Sequence, residues 1–164
     1  MGADSMRWAR RSSPRLSDYD YAREGYYFVT ICTHDRRHLF GTVADGRIVV
    51  NNFGDAVTHC WMELPDFHSH THLDAFVLMP NHLHGIISIH ADEPDIWHHG
   101  LSEIVRSFKS RSARAVNRLR GSEGQPVWQR SFYDHVVRSD ADLERIREHI
   151  EHNPAAWEAD RFYG

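Results

Sequence analysis

Cysteine is nearly absent from this 164-residue chain: Cys32 and Cys60 are the only two, too few for a disulfide scaffold. Long apolar runs are missing as well. The longest, Ala75 to Met79, is far short of the eighteen or more residues a bilayer-crossing helix needs, so no membrane segment is expected. The opening stretch MGADSMRWARRSSPRL holds no apolar core of a signal peptide, and the expected location is the cytoplasm. A strong excess of one charge is also lacking. The net charge of −4 and pI near 6.4 argue against a simple non-specific nucleic-acid binder, which is usually basic overall.

The charge is nevertheless unevenly placed. Residues 1 to 17 hold +3 and residues 101 to 130 hold +5, while residues 18 to 100 hold −8 and residues 131 to 164 hold −4. A polarised surface is implied, whose basic blocks either meet a polyanion or stand solvated. Fourteen histidines are present, an excess that makes any tight histidine pair a metal-site candidate. With 41% apolar and 26% charged residues the chain is globular, and its length suits one domain. The organisation expected is a flexible basic tail over 1–17 and a single domain over 18–164.

Tyr26 to Thr33 (YYFVTICT) reads as a buried strand followed by the basic turn HDRRH, and Gly46 to Val50 as a short strand. Asn51 or Asn52 then caps a helix whose apolar positions Phe53, Val57, Trp61 and Leu64 run to Pro65. Leu73 to Met79, the turn Pro80-Asn81 and HLHGIISI form an antiparallel hairpin. After a loop over 91–100, Ser102 caps a helix to about Leu119 with the stripe Ile104, Val105, Phe108, Val116 and Leu119. Phe132 to Arg138 is a further strand. Ser139 and Asp142 open a last helix, buried at Leu143, Ile146 and Ile150 and stopped near Asn153 by Pro154. The order is that of an α+β, ferredoxin-like split βαβ domain with a central antiparallel sheet and an additional C-terminal helix. Order alone names no function.

His82 and His84 lie two apart on a strand, so both imidazoles project to one face and can share a metal ion. A third ligand is on offer from the last helix, the carboxamide oxygen of Asn153, a hard donor suited to Mg2+ or Mn2+. A mostly-β metal barrel using the same histidine pair is disfavoured, because helices alternate with strands and no Glu follows His84 until Glu93.

In these stretches the chain resembles the HUH single-tyrosine transposases, in their REP-associated tyrosine transposase branch. The likeness runs over roughly Asp18 to Asp160, through YYFVTICTHDRRHLFG, MPNHLHGII, SEIVRSFKSR, VWQRSFYDHVVR and LERIREHIEHNPAAW. It implies a metal-dependent single-stranded DNA transposase, with His82, His84 and Asn153 holding Mg2+ or Mn2+ and a tyrosine one helical turn before Asn153 attacking a DNA phosphate. Single-stranded or hairpin DNA is the implied partner; a homodimer stays open. The position in question is His149. An imidazole attacking phosphorus leaves a labile phosphoramidate where a phenolate leaves a stable phosphotyrosine. Three readings follow: a chain that keeps fold, metal site and DNA grip without the nucleophile; His149 acting as nucleophile, base or extra ligand; or a displaced tyrosine, for which Tyr133 is nearest. A non-catalytic protein that recognises structured repeats is the alternative function. Candidate DNA contacts are Arg106, Lys109, Arg111 and Arg114 on the basic helix, then Trp128, Gln129, Arg130, Tyr133 and His135, which combine phosphate neutralisation with base stacking.

Overall fold

A computed structural model describes residues 20–90, 99–160 and 162–163. The tail over 1–17 and most of the 91–100 loop lie outside the described residues. Strand β1 (Gly25–Cys32) is rich in aromatic and β-branched residues and pairs on one side with β5 (His82–Ile89), on the other with β6 (Tyr133–Val136). The outer edge of β5 takes β4 (Thr71–Met79), giving an antiparallel sheet in the order β4-β5-β1-β6. Helices α1 (Asn52–Met62) and the one-turn α2 (Leu64–Phe67) connect β1 to β4, and α3 (Leu101–Arg120) connects β5 to β6. Helix α4 (Asp140–His152) follows. This is the split βαβ arrangement that the element order implied.

Opposed residues on paired strands share a face. Tyr27, Val29 and Ile31 with Leu83, Ile87 and Ile89 therefore pack against α1 and α3, through Val57, Trp61, Ile104 and Phe108. The other face, with Phe28 and Ile86, takes Leu143, Ile146 and Ile150 of α4. All eight residues of β5 are buried, so the strand carrying the histidine pair is clamped from both sides. The clamp is tightest at Gly85. A Cβ placed there would stand 2.4 Å from Cζ2 of Trp61, so Gly85→Ala is expected to force the indole aside and destabilise the fold by about 1–3 kcal/mol, measured by urea denaturation.

Local chemistry explains where the elements depart from the sequence reading. Asn51 is the cap of α1, its side chain accepting from the Gly54 amide at 3.0 Å, and Ser139 caps α4 through the Asp142 amide at 3.1 Å. Pro65 does not end a continuous helix at Leu64. It sits in the first turn of the separate α2, where its missing N–H leaves no bond unmade. A hairpin of β2 (Gly41–Ala44) and β3 (Arg47–Val50) stands apart from the main sheet, of which only the second strand was expected. Its Asp45-Gly46 turn has positive φ at both residues, 52° and 71°, the conformation a two-residue hairpin needs. Gly100, not Ser102, is the N-cap of α3. Leu119 is 55% exposed rather than part of the buried stripe, because Val116 and Asn117 take the inward side of the last turns. There the Asn117 side chain donates to the Gln125 carbonyl at 2.9 Å and closes the following loop.

Candidate metal centre and nucleic-acid face

The hairpin Met79-Pro80-Asn81 delivers His82 to the start of β5, and the period of two puts His84 beside it, with ring centroids 4.5 Å apart. Both rings are buried and each is aimed by its Nδ1. The Asn81 side-chain oxygen accepts from His82 Nδ1 at 2.8 Å, and the Asn81 amide is itself fixed by donating to the Phe162 carbonyl. Thr30, the cross-strand partner of His84, holds His84 Nδ1 at 2.7 Å through its hydroxyl. Each ring thus turns Nε2 towards the space beneath α4, the arrangement by which partners behind a histidine set its metal-binding face.

Asp160 completes a cluster that the sequence reading missed. Its carboxylate and the two imidazoles present ligand atoms all within 4.8 Å of one another, and Asp160 Oδ2 stands 3.8 Å from His82 Nε2. Asn153 lies in the same place: buried, it donates from Nδ2 to Asp160 Oδ2 at 3.0 Å. Its Oδ1 and the Nε2 of His82 are buried without a hydrogen-bond partner among the described residues. A buried nitrogen and oxygen left unpaired beside a carboxylate carry a large desolvation cost, which a shared cation would offset. The donor set fits a divalent ion, with the carboxylate of Asp160 as oxygen donor and Asn153 as its positioner or as a further ligand.

Burial pushes the His82 pKa down to about 4, against the opposing pull of the Asp160 carboxylate. Burial likewise lowers His84, helped by the neighbouring imidazoles, and lowers His149. All three are therefore neutral at pH 7. Because the folded chain resists protons that the unfolded chain takes up near pH 6.5, stability is full above that pH and declines as pH falls towards about 4. The slope expected from His82 is about 1.4 kcal/mol per pH unit, and His84 and His149 act in the same direction. Urea titrations of the EDTA-treated protein between pH 7 and pH 5 measure it.

His149 sits on α4 over this site, its ring 5.3 Å from that of His84 and edge-on to Phe28 at 6.2 Å. The chain stays helical through Asn153, so the two share a face one turn apart. Tyr133, paired with Thr30 across β1 and β6, lies on the same face of the sheet and packs against Cys32 and Phe162.

The residues expected at DNA divide into two groups. Arg106, Arg114 and Arg130 are exposed, Arg114 with Nε donating only to the Ser110 carbonyl of its own helix at 3.4 Å, and Gln129 is half-buried. The others have structural partners. Lys109 Nζ donates to the carbonyls of Gln129 and Arg130 at 2.6 and 3.0 Å, pinning the segment before β6. Arg111 bonds Glu63 and the Cys60 carbonyl and lies 4.0 Å over the Phe67 ring. Trp128 is 7% exposed, donates to Ser112 Oγ and packs on Phe40 and Phe108 as a core aromatic. His135 pairs with Asp142 at 2.8 Å.

A ferredoxin-like sheet with two inward-aimed histidines on a central strand and oxygen donors from the C-terminal elements defines an α+β domain with a candidate metal site. The chain belongs to the IS200-like transposase family, whose model, described as Transposase IS200 like, matches residues 22–153. A Haemophilus influenzae protein described only as uncharacterized is 35% identical over 167 aligned positions, covering 93% of each chain. A second protein from that organism, provisionally named REP-associated tyrosine transposase, is 25% identical over 145 positions, 85% of this chain and 76% of its own. The solved structure of a REP-associated tyrosine transposase bound to a REP hairpin shares the fold. It has a TM-score of 0.58 at 20% identity, over 85% of this chain and 73% of the other. Asp160 lies beyond the span that the family model matches.

Proposed function

We propose that this protein is a metal-dependent single-stranded DNA protein of the transposase type, which seats a folded strand over the His82, His84 and Asp160 cluster and is impaired in the tyrosine step. The observation that carries the reading is His149, which stands 5.3 Å from His84 on the helix face where a tyrosine is expected. A bound Mg2+ or Mn2+ would polarise a non-bridging phosphate oxygen and stabilise charge on a leaving 3′-oxygen; the mixed nitrogen and oxygen donors suit Mn2+. His82 and His84 orient that position, Asn81 and Thr30 hold the imidazoles, and the exposed Arg106, Arg114 and Arg130 neutralise phosphates along the strand. The solved relative's REP hairpin supports a folded hairpin as the ligand.

The test is binding of a labelled DNA hairpin together with a search for strand cleavage in Mn2+. Three phosphate contacts weaken single-strand binding about tenfold or more between roughly 50 and 200 mM salt. That loss is expected, without a denaturation-resistant protein–DNA adduct. Salt-insensitive binding, or such an adduct from the unaltered chain, overturns the proposal. The same histidine favours a second reading, binding without any chemistry, which scission of the hairpin by any route would exclude.

A further inference from the structure

The basic turn HDRRH follows β1 directly and lies at the His82 end of the sheet, because Cys32 pairs with His82. Its backbone is held at several points. The Thr33 carbonyl accepts from the Arg36 amide at 3.2 Å, the Thr33 hydroxyl donates to the Arg37 carbonyl at 2.8 Å, and Asn81 Nδ2 stands 3.5 Å from the Arg36 carbonyl. Asn81 also aims His82 and reaches the Phe162 carbonyl, so one side chain joins the turn, the metal cluster and the C-terminal segment. His38 closes the turn with its ring 5.5 Å from that of Trp157, whose indole stacks on His82 at 6.0 Å.

The turn is held in a conformation its residues seldom adopt. Asp35 and Arg36 both have φ of 54°, in the left-handed region that a long side chain rarely enters. Such backbone persists where the surroundings over-determine it, as at ligand clamps. Here it leaves Arg36 and Arg37 exposed side by side, and neither guanidinium has a hydrogen bond or ion pair among the described residues. Asp35, the adjacent acid, stands 3.4 Å from His34 instead. Arg111 and Arg147, by contrast, are tied to carboxylates. On the other side of the cluster Tyr163 is 45% exposed and packs edge-on against Trp157 at 5.3 Å, the same indole that His38 touches.

We infer that Arg36 and Arg37 with Tyr163 form the clamp that holds a DNA strand at the metal cluster, the two guanidinium groups taking phosphates and the phenol ring stacking on an unpaired base. The inference rests on the single-stranded DNA reading given above. A guanidinium presents parallel N–H donors that match a phosphate, and an exposed ring stacks on any base that is not paired. Arg106 and Arg114 stand on α3, which packs on the opposite face of the sheet from α4 and the histidine pair. The phosphates nearest the cluster therefore fall to the turn.

The experiment is fluorescence anisotropy of the full chain in Mn2+ with a labelled oligothymidylate, whose bases do not pair, over a salt series. Each phosphate contact on a single strand contributes about 0.7 to the slope of log affinity against log salt. Arg36→Gln/Arg37→Gln is thus expected to lower the slope by about 1.4 and to weaken binding about tenfold or more at roughly 0.1 M salt. Arg36→Lys/Arg37→Lys, which keeps both charges, retains the slope. Tyr163→Leu is expected to weaken binding about fivefold or more with the slope unchanged, and Tyr163→Phe to bind as the unaltered chain does. Arg23→Gln, an exposed arginine just before the far end of β1, changes neither quantity. Circular dichroism and Mn2+ titration verify that each variant keeps its fold and its metal cluster. A folded Arg36→Gln/Arg37→Gln variant with the affinity and slope of the unaltered chain, or a Tyr163→Leu variant that binds as tightly, overturns the inference and leaves the DNA reading standing. Absent or salt-insensitive binding by the unaltered chain overturns both.

Discussion

His149→Tyr is expected to form a covalent protein–DNA adduct on a hairpin substrate in Mn2+, where the unaltered chain forms none. The phenolate would attack phosphorus as the P–O3′ bond breaks. The 3′-oxygen would leave and take up a proton as a free 3′-hydroxyl, and a 5′-phosphotyrosine would keep the fragment on the 3′ side of the cut on the protein. Helix α4 already presents position 149 on the Asn153 face, beside His84. What the substitution adds is therefore the nucleophile alone. Loss of a nucleophile in enzymes costs many powers of ten, so adduct yield should rise by at least about a hundredfold over background. A denaturing gel reads it directly. A folded His149→Tyr that binds the hairpin normally and gives no adduct would show that more than the nucleophile has been lost.

The second large effect concerns the metal. Removing either imidazole, by His82→Ala or His84→Ala, is expected to weaken Mn2+ binding by more than about a hundredfold. Asn81→Ala, which frees His82 Nδ1, should fall within the roughly 10–100-fold range seen for residues behind a ligand. Calorimetric Mn2+ titration measures all three, with circular dichroism to verify folding. The oxygen donors are separated in the same way. Asp160→Ala should exceed Asn153→Ala if the carboxylate is the ligand and the carboxamide its positioner, and the reverse order would restore Asn153 to the role the family resemblance implies.

Much of this architecture is legible in the residues because the signals are local. Buried β-branched runs mark β1 and β5, Asn51 and Ser139 mark helix starts, and a spacing of two places His82 and His84 on one face. The missed pieces depend on contacts made only in the folded chain. Asp160 follows Pro154 in a stretch without periodicity, and nothing in its neighbours signals that the chain turns back beneath β5. Trp128 sits among basic and aromatic residues that suit DNA, yet Ser112, Phe40 and Phe108 claim it for the core. Lys109 and Arg111 look free on a basic helix until the carbonyls and the carboxylate that hold them come into view. Sequence shows that a cation is present but not whether another part of the chain already uses it.

The last residues have a practical bearing on how the protein is handled. Asp160 supplies an oxygen beside His82, Phe162 lays its ring 4.6 Å from the same imidazole, and the Phe162 carbonyl anchors the amide that steers it. Trimming a few residues from this end would loosen three supports at once, so affinity handles and fluorophores belong at the opposite terminus.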